Sequence, residues 1–66
     1  MPVISVELGN GQISESQKKQ VIERFTAHAV EITGISADKF TVLIHELPPE
    51  NIGVGGKTLK DIKVNL

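Results

Sequence analysis

The fold is decided at the amino end, by residues 2–8, PVISVEL. Apolar side chains at Ile4, Val6 and Leu8 alternate with residues 3, 5 and 7, which is the period of a β-strand. The β-branched side chains in this stretch favour a strand as well. The GNG sequence at residues 9–11 ends it, because glycine and asparagine tolerate positive φ. We therefore predict a first strand over residues 2–8.

A helix is predicted next. Residues 14–17, SESQ, have the spacing of a capping box, in which the serine and glutamine side chains each accept from the other's backbone amide. Gly34 is a natural residue to end the helix. The residues that form one stripe with helical spacing are Val21, Phe25, His28 and Ile32. We interpret His28 as a core residue of this stripe.

The second strand is predicted over residues 40–47, FTVLIHEL, which are largely apolar on both faces, as in a sheet that is covered on both sides. A strand, a helix and a strand in this order predict a βαβ unit with parallel strands. The glycines of residues 53–56, GVGG, predict a hairpin, and residues 57–66 form a weakly amphipathic tail. The predicted fold class is α/β (α+β): one domain over residues 2–66, with a single βαβ unit and a C-terminal β-hairpin arm.

A chain of 66 residues cannot bury a large core. A domain of this size covers only about 60% of the surface of its unfolded chain. Small folds compensate with disulfides, a metal or self-association. The sequence has no cysteine, and His28 and His45 lack a short metal-binding spacing. We therefore predict no metal and no cofactor, and a fold that is completed by homo-oligomerisation.

The charge and hydropathy patterns exclude several partners. The net charge of −1 provides no basic field for nucleic acid. No apolar run approaches the about 20 residues of a membrane span, and the amino end lacks the layout of a signal peptide. The glycines of residues 53–56 lack the spacing of a phosphate-binding loop. We expect no nucleic acid, no membrane and a cytoplasmic location.

Pro2 is the candidate for chemistry. Removal of Met1, which is expected before so small a residue, would leave a secondary amine at the head of the first strand. An α-amino group has an ordinary pKa of about 7.7–8.0, and apolar burial lowers this pKa toward the range of a general base. Proline also opens edge strands without any catalytic role, and Pro2 taken alone favours that structural interpretation.

The chain as a whole resembles the 4-oxalocrotonate tautomerase family over residues 2–62. The resemblance rests on Met1-Pro2 before a strand, the loop of residues 9–13, the helix start at residues 14–19, the strand end at residues 44–46 and the arm NIGVGGK at residues 51–57. It implies a βαβ subunit that pairs into dimers and assembles as a hexamer, a trimer of dimers. It also implies an isomerase that moves a proton between the enol and keto forms of a small 2-hydroxy or 2-oxo unsaturated acid, with Pro2 as the general base.

The family's other site positions are changed in this chain. The first substrate-binding arginine of the family lies in the loop after strand one, where this chain has Gln12 and Ile13. The second lies early in strand two, at Thr41, and the family's aromatic pocket residue is replaced by Ile52. The resemblance thus implies Pro2 as catalytic and these four positions as substrate-binding. Because neutral donors bind a carboxylate about half as strongly as charged ones, we expect a substrate less charged than the family's dicarboxylates.

Two other functions stay open on the sequence. Relatives of this fold also hydrate or dehalogenate small unsaturated acids, with a protonated proline as the acid and a carboxylate that activates water. Glu46 and Glu50 are the candidates for that carboxylate. Alternatively, the loss of both arginines suits a non-enzymatic oligomeric binding module on the same scaffold.

Overall fold

Two strands and a long helix form the body of the subunit. A computed structural model describes residues 1–62, and residues 63–66 of the predicted tail lie outside the described residues. The elements in order are β1 (Val3–Gly9), α1 (Glu15–Thr33), β2 (Thr41–Leu47), β3 (Gly53–Val54), β4 (Lys57–Thr58) and α2 (Leu59–Ile62). Short 3-10 turns at Ala37–Lys39 and Pro49–Asn51 precede β2 and β3.

β1 and β2 pair in parallel, in a register that runs from Val3 opposite Thr41 to Gly9 opposite Leu47. The predicted βαβ unit is therefore confirmed. Both strands begin one residue later than predicted. At β2 the reason is local, since the Phe40 amide donates to the Ala37 carbonyl at 3.1 Å and so belongs to the preceding turn.

The ends of α1 follow the predicted chemistry. The Ser14 hydroxyl accepts from the Gln17 amide at 3.2 Å, and Gln17 Oε1 accepts from the Ser14 amide at 2.8 Å. At the other end, Gly34 has a φ of 76°, and its amide donates to the Val30 carbonyl at 2.8 Å. The capping box and the glycine cap are both confirmed, and they fix where the helix begins and ends.

The two faces of the sheet differ. Ile4, Val6 and Ile44 are half-buried on the face toward α1, and an ion pair between Lys18 and Glu46 joins helix and sheet there. On the opposite face, Val3 is 49% and Leu43 is 42% exposed. The single chain has one helix to cover one face, so the cover of the other face, which the sequence assigns to another copy of the chain, stays a prediction.

The predicted stripe on α1 was only partly right. Val21 is half-buried, but His28 is exposed, so it is not the core residue that the stripe predicted. Ile32 is 83% and Phe25 is 43% exposed. A sheet of two strands is too narrow to cover the whole apolar surface of the helix. None of the helices within residues 1–62 is long and apolar enough to cross a membrane.

The predicted hairpin is confirmed. β3 and β4 pair antiparallel around a two-residue turn, in which Gly55 has a φ of 62° and Gly56 a φ of 82°. Positive φ at both central residues is the geometry of a type I′ turn, which glycine adopts without strain. The arm is anchored by the Leu59 amide, which donates to the Ile52 carbonyl at 2.8 Å. Within residues 1–62, Leu59 is the one apolar side chain that is buried, at 7% exposed.

Candidate active site

Pro2 is held at the beginning of the parallel sheet. Its carbonyl accepts a hydrogen bond from the Thr41 amide at 3.0 Å, so the first rung of the ladder fixes the position of the ring. Pro2 is half-buried, whereas Met1 is 91% exposed. Removal of Met1 would therefore uncover the Pro2 nitrogen without taking a packed side chain out of the fold.

Thr41 is the one predicted binding residue that lies beside Pro2 in the same chain. It is the first residue of β2, it is half-buried, and its register partner is Val3. Its hydroxyl lies 3.7 Å from Met1 Sδ, a weak contact with a sulfur acceptor. Without Met1 this hydroxyl would be available as a neutral hydrogen-bond donor next to the Pro2 amine.

A cavity of about 300 Å³ opens at the other end of the sheet, where β1 and β2 finish at Gly9 and Leu47. Its apolar wall consists of Leu8, Leu47, Ile52 and Leu59. The other lining residues are Glu7, Gly9 and Gln12. The hairpin arm contributes to this wall, because the Leu59–Ile52 hydrogen bond holds the two apolar residues together.

The structure thus brings Gln12 and Ile52 together, as the resemblance implied, but not with Pro2. A strand rises about 3.3 Å per residue, so the seven residues from Pro2 to Gly9 separate the two sites by about 20 Å. Ile13 is half-buried in the same loop and does not line the cavity. Sequence reasoning did not single out Glu7, which also lines the cavity and which alternation places on the strand face opposite to Leu8.

Two contacts between acidic and basic side chains lie at this end of the sheet. Lys18 is bound to Glu46, which lies opposite Leu8 in the strand register. Glu7 Oε1 lies 3.9 Å from His45 Nδ1 on the open face of the sheet, where these side chains are 70% and 50% exposed. Glu46 is therefore partnered and lies at the far end from Pro2. Within one chain it does not provide the water-activating carboxylate that the hydratase alternative needs beside the proline.

Comparison with known proteins identifies the class to which this fold and site belong. The family model described as "Tautomerase enzyme" matches residues 2–62. A 2-hydroxymuconate tautomerase of Comamonas testosteroni is 39% identical over 62 residues, which are 94% of this chain and 97% of the relative. The chain therefore belongs to the tautomerase family and is an isomerase.

Two solved structures share its fold. TomN, a 4-oxalocrotonate tautomerase homologue in the tomaymycin biosynthetic pathway, superposes with a TM-score of 0.85 at 32% identity over 94% of both chains. A heterohexamer 4-oxalocrotonate tautomerase from Chloroflexus aurantiacus J-10-fl superposes with a TM-score of 0.82. At 22% identity, over 94% of this chain and 98% of the other, the second likeness concerns the fold alone. The resemblance predicted from the sequence is confirmed at the level of family and fold.

Proposed function

We propose that this isomerase converts the enol form of a small 2-hydroxy or 2-oxo unsaturated acid to its keto form, with the Pro2 amine as the general base. One observation carries the proposal. Pro2 is half-buried and hydrogen-bonded into the first rung of the sheet, and the exposed Met1 precedes it. A base that moves a proton between oxygen and carbon needs a fixed position, and here the backbone of β1 provides it.

The reaction requires one group that first accepts and then returns a proton. The Pro2 nitrogen takes the hydroxyl proton of the enol, and the resulting ammonium protonates carbon, so that no atom is gained or lost overall. Apolar burial lowers the pKa of such an amine and leaves it unprotonated near neutral pH. The Thr41 hydroxyl, beside Pro2, donates to the carboxylate or to the oxygen on which charge develops.

The complete site is formed by more than one chain. Pro2 and Thr41 lie about 20 Å from Gln12 and Ile52 along the strands, which is too far for one small acid to contact all four. If all of them bind substrate, the cavity end of one subunit meets the Pro2 end of another. The proposed assembly is a homo-oligomer, and specifically a hexamer of the kind implied by the family resemblance.

The surface of the chain supports self-association. The chain exposes 5040 Å², whereas a folded monomer of this size exposes about 4,100 Å². Large apolar side chains on this surface include Val3, Ile22, Phe25, Ile32, Leu43 and Val54. The Chloroflexus aurantiacus protein with this fold is itself a heterohexamer.

The decisive experiment compares Met1-free protein, verified by mass spectrometry, with a form that retains Met1. The assay is ketonisation of an arylenolpyruvate at fixed subunit concentration. We expect turnover from the Met1-free form and none from the other, because retained Met1 converts the Pro2 nitrogen to a non-basic amide. Pro2→Ala, which keeps a primary amine, should leave partial activity. Equal rates with and without Met1 would show that Pro2 only begins a strand.

The pH dependence gives a second readout of the same group. A general base must be unprotonated, so kcat/KM should fall as the pH decreases through the pKa of the amine. A nearby cation lowers the pKa of an amine. Because this chain has no arginine at positions 12 and 41, we expect that pKa to be higher than in relatives that have both. A rate that does not change with pH across this range would contradict the role of Pro2 as the base.

A further inference from the structure

The face of the sheet that α1 does not cover carries an acid and a base side by side. The parallel register places Glu7 of β1 opposite His45 of β2, and Glu7 Oε1 lies 3.9 Å from His45 Nδ1. The two side chains are 70% and 50% exposed, so water still reaches both. We call these two residues the open-face pair. One proton changes its net charge, which is zero with a protonated imidazole and −1 with a neutral one.

The rest of this open face bears no charge. Its other members in the two strands are the register partners Val3 and Thr41, and Ser5 and Leu43. Val3 is 49% and Leu43 is 42% exposed, so the elements within residues 1–62 leave these aliphatic side chains uncovered. The ion pair between Lys18 and Glu46 lies on the other face, toward α1. The open face therefore combines aliphatic surface with one acid and one base.

A second copy of the chain is the partner that this face fits. In a symmetric assembly every subunit brings the same surface, so each copy brings one acid and one base to the contact. A strongly acidic or strongly basic partner would find no excess of the opposite charge here. Aliphatic side chains such as Val3 and Leu43 are of the kind that interdigitate when two sheets stack. The proposed function requires copies to associate in any case, because the two ends of the sheet lie about 20 Å apart.

We propose that the open face packs against another copy of this chain, and that the open-face pair makes this contact depend on a proton. With His45 protonated, the pair has no net charge when it is buried among aliphatic side chains. With His45 neutral, the carboxylate of Glu7 is buried without a compensating charge, which is costly. The inference rests on the homo-oligomer of the proposed function and does not depend on its reaction.

The contact should be stronger at low pH than at high pH. Histidine is the side chain that changes its charge between about pH 5 and 8. Because the assembled state needs the positive charge beside Glu7 more than the separate subunits do, it binds the histidine proton more tightly. Association then takes up protons, and it is favoured as the pH falls. The amino-terminal amine titrates near the upper end of the same range, so variants must separate its effect from that of His45.

The test mixes isotope-labelled and unlabelled Met1-free subunits and follows their exchange by native mass spectrometry at about pH 6 and about pH 8. Subunit exchange reports on the contact in a tight assembly as well as in a weak one, and it needs no substrate. In wild type, exchange should be about threefold to tenfold faster at the higher pH, the range expected for a charge contact between partly solvated groups. Equal exchange rates at the two pH values, or a chain that is monomeric at both, would overturn the proposal.

Substitutions in the open-face pair predict opposite results. In Glu7→Gln the uncompensated charge is the protonated imidazole, so exchange should be faster at the lower pH, the reverse of wild type. In His45→Gln the carboxylate of Glu7 lacks its cation at both pH values, so exchange should be fast at both. His28→Gln is the matched control, because His28 is the other histidine of the chain and is exposed on α1, and it should exchange like wild type. A wild-type pH dependence in His45→Gln would assign the effect to another group, such as the amino-terminal amine, and would refute the role of the pair.

A third substitution tests where the contact lies. Leu43→Lys places a charge in the middle of the open face and should dissociate the assembly at both pH values, while circular dichroism still shows helix and strand. Glu23→Lys introduces the same side chain at an exposed position on α1 and should leave the mass of the assembly unchanged. A Leu43→Lys protein with the wild-type mass would overturn the assignment of this face. If the pH effect is absent while Pro2-dependent turnover is intact, this inference alone fails; if the pH effect is present without turnover, the proposed reaction alone fails.

Discussion

The turn of the hairpin arm allows a sharp test of how the backbone anchors the cavity wall. Gly55 and Gly56 have φ values of 62° and 82°, and a Cβ built on either residue meets no atom within 4 Å. An L-alanine at these positions therefore causes backbone strain and no steric clash. The cost of left-handed backbone for a residue with a Cβ is about 1–2 kcal/mol. The arm is tied to the buried Leu59 through its hydrogen bond to Ile52, so the strain should lower the stability of the whole subunit.

We expect Gly56→Ala to lower the free energy of unfolding by about 1–2 kcal/mol, and the Tm by about 4–8 °C for each kcal/mol. Gly53→Ala is the matched control, because Gly53 does not have a positive φ and its new Cβ would lie 3.6 Å from the Lys57 carbonyl oxygen, an ordinary contact. It should change the free energy by less than about 0.5 kcal/mol. Urea unfolding measures the free energy of unfolding of both variants. The subunit concentration is kept fixed because association contributes to the apparent stability.

A chain of 66 residues is short enough for chemical synthesis, which permits D-alanine at position 56. D-alanine has the same atoms as L-alanine but prefers positive φ. We therefore expect the D-alanine protein to have a free energy of unfolding equal to or higher than that of the protein with Gly56. If the L- and D-alanine proteins unfold at the same urea concentration, strain at this turn does not determine stability. If Gly53→Ala destabilises as much as Gly56→Ala, the arm does not depend on a type I′ turn.

Three further outcomes follow from the described contacts. Ser14→Ala removes half of the capping box and should lower the free energy of unfolding by about 1 kcal/mol in urea unfolding, and an unchanged midpoint would contradict the role of this cap. Thr41→Val removes the hydroxyl beside Pro2 and should lower kcat/KM for an arylenolpyruvate about 5- to 15-fold, which is the effect of losing one hydrogen bond of about 1–1.5 kcal/mol. Thr41→Ser keeps a hydroxyl and should retain most of the wild-type kcat/KM. The Tm should rise with subunit concentration because folding and association are coupled, and sedimentation of a compact, cooperatively melting monomer at micromolar concentration would refute the proposed assembly.

Local chemistry made most of the fold predictable. The capping box, the glycine that ends α1 and the two-glycine hairpin turn are each determined by residues within a few positions of one another. The strand boundaries were less accurate, since nothing in the sequence showed that the Phe40 amide would be used by the preceding turn. The helix stripe failed at Ile32 for another reason. Periodicity shows which side chains share a face, but not how many of them the neighbouring elements can cover.

The candidate site was less predictable, because its parts lie at both ends of the sheet. The parallel register accounts for Pro2 beside Thr41, and a strand-by-strand alignment is enough to expect that pair. Alternation along β1 placed Glu7 on a face opposite to Leu8, although both line the same cavity. Periodicity alone does not contain this information.

The positions that depart from the family pattern share a structural property that explains how the substrate can change while the fold does not. Gln12 lies in the loop after β1, Thr41 is the first residue of β2, and Ile52 follows a 3-10 turn, so none of the three is in the interior of the parallel ladder. If these positions bind substrate as we propose, substitution there can change what the site binds without removing a sheet hydrogen bond between β1 and β2. Pro2 differs from them, because the backbone of β1 determines where its nitrogen lies. A scaffold arranged in this way can keep one proton-transfer group and change its substrate class through side chains at the strand ends.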